Sequence, residues 1–292
     1  MDNKIFCLIG PTASGKTDLS LELAQKLEAE IICVDSLLVY KDFNIGTAKP
    51  TPEQCHLVPH HVMDLVSPTQ NFTAFDFCEA ATSAIQNIQS RHKRVLLVGG
   101  SGLYLKALTR GMFKAPPSDL YIKNQIEEEM KTKGAASLYE ELQKVDPEIA
   151  KTIHPHDRYR IIRALEVFRV SGKKFSDYRE KHKPNGESKF IKMGLQVERA
   201  GLHKRIEQRT KKMLEQGLIE EVKGLSQKYL LSCKPFKSVG YKETLLFLEN
   251  KISYNDLEIQ ITQETRALAR RQMTWFRGDQ EIQWCEPGDV FQ

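Results

Sequence analysis

The chain has 292 residues, 43 basic and 38 acidic side chains for a net charge of +5, and is 40% hydrophobic and 28% charged. These are the proportions of a globular protein, with room for one large domain or two modest ones; they exclude a collagen-like, low-complexity or disordered chain. No apolar run approaches the roughly 20 residues that span a membrane, and the 6 cysteines are scattered without a C-x-x-C pair, so neither a zinc site nor a disulfide framework is expected and a reducing cytoplasm is.

The first element is a short apolar run, Ile5 to Ile9, the pattern of a fully buried strand. It starts so close to Met1 that it leaves no room for a signal peptide. Gly10, Pro11, Thr12, Ala13, Ser14, Gly15, Lys16 and Thr17 then fit G-x-x-x-x-G-K-[ST], and Leu19, Leu23, Ala24 and Leu27 continue at helical spacing. Strand, glycine loop and helix in that order are the context a P-loop requires. The glycines let successive amides turn inward as an anion nest, the helix start adds its positive dipole end, Lys16 supplies a cation, and Thr17 offers a hydroxyl to Mg²⁺. The motif specifies a bound phosphate or diphosphate without saying which.

A second strand, Ile31 to Val34, ends at Asp35 and Ser36. Ligands of open α/β sheets gather at carboxyl ends of strands, so Asp35 reads as a site residue; it reads equally well as a helix N-cap. Val62 to Val66 is expected to be a third strand, preceded by His60 and His61. Adjacent residues on an extended chain point to opposite sides, so this pair alone is not a metal chelate. A helix is expected over about Thr73 to His92. Val95 to Val98 forms the next strand, ending in Gly99 and Gly100 where many P-loop ATPases carry a Mg²⁺-binding Asp, with Ser101 as the only hydroxyl there.

From about Phe113 the pattern becomes helical with Gly, Pro and Asp breaks, and Phe190 to Val197 returns to strand character. The expected division is therefore a core of residues 1–112 and 190–292 with a helical insertion at 113–189. In the insertion, Arg160, Arg163 and Glu166 share one helical stripe and Ile161, Ile162, Leu165, Val167 and Phe168 supply the buried side. The final helix sets Arg266, Arg270, Met273 and Arg277 near one face beside Trp275 and Phe276, a pattern suited to gripping a nucleic-acid backbone and also to an ordinary solvated face.

The runs GPTASGKT (10–17), DSLLVY (35–40), IGTAKP (45–50), HHVMD (60–64), GGSGLYLKAL (99–108), DRYRIIRALEVF (157–168), SVGYKE (238–243) and RQMTWFR (271–277) together resemble the tRNA dimethylallyltransferases in their short bacterial form. The resemblance implies an α/β fold: a P-loop NTPase-like parallel sheet, similar to nucleotide kinases, carrying an inserted helical domain. It implies transfer of a dimethylallyl group from dimethylallyl diphosphate to the N6 amine of adenosine 37 in the anticodon stem-loop of tRNA, with Mg²⁺ as the only metal, in the cytoplasm, by a monomer that uses no membrane.

By the same resemblance, Lys16, Asp35 and Ser101 are catalytic, residues 10–17 hold the diphosphate, and Thr17 carries the Mg²⁺. Asp35, Ser36, Leu37, Leu38, Ser101, Lys123, Tyr159, Arg160, Ile161, Ile162, Arg163, Lys237, Ser238, Val239, Gly240, Tyr241 and Lys242 contact tRNA. Ser101 stands where the family usually has Thr, keeping the hydroxyl and losing a methyl. Tyr159 and Tyr241 are either stacking platforms for splayed bases or ordinary half-buried tyrosines. The rival readings are a small-molecule kinase using ATP and a non-catalytic RNA-binding switch.

Overall fold

The run that enters the glycine loop is strand β1 (Ile5–Ile9), with Ile5, Cys7, Leu8 and Ile9 fully buried. The computed structural model describes residues 4–112, 115–180 and 189–289. It sets β2 (Ala29–Val34), β3 (His60–His61), β4 (Arg94–Gly99), β5 (Phe190–Leu195) and β6 (Ile282–Cys285) around β1 in the order β3-β2-β4-β1-β5-β6, every neighbouring pair parallel. Parallel strands need long crossovers, and helices supply them: α1 (Lys16–Leu27) after β1, α2 (Pro52–Leu57) before β3, α3 (Ala74–Ser90) before β4 and α4 (Gly102–Arg110) after it. Leu8, Ile31, Cys33 and Leu96 pack with Leu19, Leu23 and Ala24 of α1. The alternate positions Cys7, Ile32, Val34 and Leu97 are also buried, so both faces of the sheet are covered.

The chain divides into two compact units, Met1–Thr109 with Glu187–Gln292, and Arg110–Gly186. The second unit contains α5 (Leu120–Val145), broken at Gly134, then α6 (Pro147–Ala150), α7 (Arg158–Ser171) and α8 (Phe175–Glu180). Ile126, Met130, Leu138, Leu142, Ile161 and Leu165 give it a core of its own. The expected boundary at 113 lies outside the described residues. After β5 the first unit continues with α9 (Arg199–Glu215), α10 (Leu218–Lys228), a 3₁₀ turn at Lys234–Lys237, α11 (Tyr241–Leu248) and α12 (Tyr254–Arg277). Met213, Leu218, Val222, Phe236, Tyr241, Leu257 and Ile261 of this run enclose Phe43 in a second core.

Several local expectations need correction. β3 covers only His60 and His61; Val62 and Asp64 have φ of 63° and 52°, so the expected strand over 62–66 is broken by left-handed backbone, and Val66 makes only an isolated bridge to Tyr40. His60 Nδ1 lies 2.7 Å from the Val58 carbonyl, and His61 Nε2 lies 2.7 Å from Glu30. β2 begins two residues early and includes buried Glu30, whose carboxylate is held by Arg91 and His61. Strand β6 escaped the sequence reading: it has 4 residues and sits on the sheet edge, too short for a periodic signal. Glu166 is not on an open stripe. It is buried, accepting from Ser118 Oγ at 2.5 Å, the Asp119 amide at 2.9 Å and Arg163 at 2.7 Å.

Candidate active site

Strand order alone brings three predicted segments together. β2, β4 and β1 are consecutive neighbours, so Asp35, Gly99–Ser101 and the glycine loop emerge side by side at their carboxyl ends. The chain can approach this closely only because residue 99 is a glycine: a Cβ there would overlap the Val34 carbonyl. Ser101 bonds both the end of β2 and the turn that follows it. Its amide donates to the Val34 carbonyl at 3.2 Å, and its Oγ accepts from the Ser36 amide at 3.1 Å. The hydroxyl is therefore held beside the turn that carries Asp35.

The loop has the curled backbone of a nest. Ala13 has φ 61° and Gly15 φ 90°, the latter a conformation that favours glycine. Lys16 folds onto its own loop, donating from Nζ to the Pro11 carbonyl at 2.6 Å and to Ser14 Oγ at 3.2 Å. Burial, then the neighbouring Arg209, lower its pKa to about 7, against an opposing pull from Asp35. Thr17 is exposed in the first turn of α1.

Asp35 Oδ1 accepts from the Leu37 amide at 2.8 Å, and this contact holds the turn over Ser36, Leu37 and Leu38. The group keeps partial solvent contact. Protein crowds it closely enough that desolvation pushes its pKa up, opposed by the Leu37 and Leu38 amides and then by Lys16 and Arg209. The carboxylate is thus a recessed base whose charge depends on the cations around it.

Four residues that sequence reasoning missed complete the site. Arg209 of α9 faces Asp35, and burial lowers its pKa. Arg205, one turn earlier, donates to the Ser14 carbonyl at 3.1 Å. Gln272 of α12 accepts from the Thr12 amide at 2.8 Å. Lys234 donates to the Phe72 carbonyl at 3.1 Å, lies 5.9 Å from the centre of the Tyr40 ring, and is drawn electrostatically by Asp35. A signal for the arginines was present: Arg205 and Arg209 border the apolar stripe of Leu202, Ile206 and Met213, which sets two cations at the edge of the face that α9 buries.

The expected RNA contacts divide by exposure. Lys237 and Lys242 are exposed, Ser238 and Val239 half-buried, and Gly240 buried. Tyr241 is 0% exposed, packs against Phe43 at 4.8 Å between ring centres, and donates its hydroxyl to Glu221 at 2.6 Å. It is a core residue and offers no stacking face. Glu221 also accepts from the Asn44 and Ile45 amides at 3.1 and 2.8 Å, so Tyr241 and Glu221 together fix the IGTAKP loop.

In the helical unit, Tyr159 is 75% exposed, whereas Ile161 is 0% exposed and belongs to that unit's core. Ile162 is half-buried. Arg160 pairs with Asp157 at 3.1 Å, Arg163 donates to Pro116 and Glu166, and Lys123 lies 3.7 Å from Glu127. No group of three His, Cys, Asp or Glu side chains suited to a metal occurs among the described residues, and no helix among them is long and apolar enough to cross a membrane.

Comparison with known proteins gives this geometry a context. The family model of the IPP transferases matches residues 38–279. The tRNA dimethylallyltransferase of Geobacter metallireducens is 46% identical over 288 residues, 98% of this chain and 93% of that protein. The crystal structure of the full-length tRNA isopentenylpyrophosphate transferase from Bacillus halodurans is similar at a TM-score of 0.69 and 34% identity, covering 98% of this chain and 90% of that one. A eukaryotic dimethylallyltransferase, captured in crystallographic snapshots acting on tRNA, is similar at a TM-score of 0.82 and 29% identity, covering 99% and 75%. The chain therefore belongs to the IPP transferase family.

Proposed function

We propose that the protein is a tRNA dimethylallyltransferase, moving the dimethylallyl group of dimethylallyl diphosphate onto the N6 amine of adenosine 37, beside the anticodon. The observation that carries this reading is the lateral order of the site. A cationic phosphate cradle ends β1, a hydroxyl ends β4, and a recessed carboxylate ends β2. A diphosphate seated in the cradle leaves its allylic carbon over Ser101 and an incoming amine over Asp35.

The allylic carbon–oxygen bond breaks while the N6–carbon bond forms, and negative charge builds on the departing diphosphate. The loop amides of Ala13 to Thr17, the Lys16 ammonium and Arg209 stabilise that charge. The adenine amine is a poor nucleophile because its lone pair feeds the ring. Asp35 accepts its hydrogen bond, orients it and takes the proton released by bond formation. The Ser101 hydroxyl, already accepting from Ser36, donates its own proton toward the substrates. The base must leave the anticodon stack to reach Asp35, at a cost of a few kcal/mol that RNA contacts offset.

The residues present fit Mg²⁺. This ion keeps most of its waters and takes few protein ligands beside phosphate oxygens, and the exposed Thr17 hydroxyl would hold it. When bound, Mg²⁺ adds positive charge to the leaving diphosphate. The protein is read as acting as a monomer. The exposed residues Tyr159, Lys237 and Lys242 are the best-supported RNA contacts of those expected, and the helical insertion is read as the RNA-contacting domain.

The test is direct. Incubation with dimethylallyl diphosphate and unmodified tRNA should yield isopentenyladenosine on nucleoside analysis. Incubation with ATP and common nucleosides should yield no phosphorylated product. Phosphoryl transfer without prenylation would replace this reading by the kinase.

A further inference from the structure

The runs IGTAKP (45–50) and HHVMD (60–64) supply no group to the chemistry above, yet one charged residue of each meets the other beside the turn that bears Asp35. Lys49 Nζ donates to Asp64 Oδ1 at 2.6 Å and to the Tyr40 carbonyl at 2.9 Å. The Lys49 side chain is only 7% exposed. An ammonium withdrawn from water to this degree needs a counter-charge and hydrogen-bond acceptors, and here it finds one of each.

The turn after Asp35 is neither helix nor sheet, so its shape depends on what occupies its carbonyls. The Leu37 carbonyl accepts from the Tyr40 amide at 3.0 Å, and the Leu38 carbonyl from the Asp64 amide at 3.0 Å. The Val39 carbonyl accepts from the Leu65 and Val66 amides at 2.8 and 3.0 Å. Lys49 takes the next one, on Tyr40. Asp64 thus acts on the turn twice, directly by its amide and through Lys49 by its carboxylate.

Reaching that pose requires left-handed backbone at Val62 and Asp64. For a β-branched residue such as Val62 this is a strained conformation, which persists only where the surroundings impose it. Lys49 is braced from the opposite side. Its amide donates to the Asn44 carbonyl at 3.0 Å, in the loop whose next amides Glu221 holds.

We propose that Lys49 is a positioning residue for the base: by tying the Tyr40 carbonyl to Asp64 it fixes the turn, and with it the direction of the Asp35 carboxylate, while touching neither substrate. This rests on the reading of Asp35 as the base of a prenyl transfer, and the experiment separates the two. Rates of isopentenyladenosine formation are measured with dimethylallyl diphosphate and an anticodon stem-loop RNA carrying A37.

Lys49→Met keeps the length of the side chain and removes its charge and donors. It should lower kcat about 10–100-fold and leave KM for either substrate within about twofold. In an Asp35→Asn background the same substitution should cost nothing further, because the group it aims is gone. Lys49→Arg should restore most of the rate. Asp64→Asn, at an exposed position, keeps an acceptor and removes the counter-charge; it should give a smaller loss of the same kind, and it decides the matter if Lys49→Met does not fold. An unchanged kcat with only a lower urea midpoint overturns the proposal, since the tie then serves the fold alone. So does a full loss repeated in the Asp35→Asn background, or a rise in KM for RNA at constant kcat; all three leave the enzyme reading intact. Absence of prenyl transfer by the unaltered chain overturns both.

Discussion

Two lysines beside neighbouring strands, Lys192 within β5 and Lys16 at the start of α1 after β1, have opposite surroundings. Lys192, in the middle of β5 and paired in register with Cys7 of β1, has a side chain with 0% exposure and two carboxylates at 2.7 Å, Asp279 and Glu281. Lys16, at the start of α1, touches only a carbonyl and a hydroxyl, and it feels the charges of both Arg209 and Asp35. No carboxylate lies within ion-pair distance of Lys16 among the described residues. A buried cation that serves the fold carries its counter-ions with it. Lys16 is half-buried and, among the described residues, has no such carboxylate partner, an arrangement that suits the phosphate binding proposed above.

Substitution breaks the comparison most strongly at the site. Asp35→Asn should lower prenyl transfer by about 10²–10⁴-fold while tRNA affinity stays within about tenfold; equal loss of binding, measured by filter retention, would make the residue a recognition group. Lys16→Met should lower kcat/KM about 10²–10³-fold without lowering the denaturant midpoint. Lys192→Met should do the reverse, costing about 1–3 kcal/mol in urea unfolding, because Asp279 and Glu281 lose their shared partner but keep some solvent, with near-normal turnover in the folded fraction.

The pH dependence sharpens the same contrast. Asp35 is raised by burial, so the rate at saturating donor should climb with pH through a midpoint above the ordinary aspartate value of about 4. Free Lys16 loses its charge as pH passes about 7, so KM for the donor should rise above that point. A KM that stays flat from pH 6 to 9 would mean that the ammonium takes no part in donor binding. The smallest effect is expected at Tyr241→Phe, about 1 kcal/mol of stability from a lost hydrogen bond to Glu221, read as a shift in thermal midpoint.

Sequence exposed the sheet because β1 and the stretches 31–34 of β2 and 95–98 of β4 are continuous apolar runs and the phosphate loop has fixed spacing. It could not expose Lys234, which comes from a loop distant in the chain, and although Gln272 sits in the run 271–277 and Arg209 on the stripe of α9, neither pattern says that its side chain reaches the glycine loop or Asp35. Sequence left Tyr241 open between a stacking platform and an ordinary half-buried tyrosine for a related reason. A tyrosine beside glycine looks the same whether its ring faces solvent or core, and what decides the matter here is Phe43 and Glu221, contacts that only the folded chain supplies. Ile161 shows the same limit in the helical unit, where an expected contact segment alternates between surface and interior within one turn.

One consequence of strand order concerns reach. β4 separates β1 from β2, and each step across a sheet is about 4.8 Å, so the backbones that bear the leaving-group seat and the base stand about 10 Å apart. On the proposed reaction this spacing is a ruler built from main-chain ladders, and side-chain changes along it, such as serine for threonine at position 101, leave its length untouched. A donor whose reactive carbon lay much farther from its phosphates would overshoot the amine.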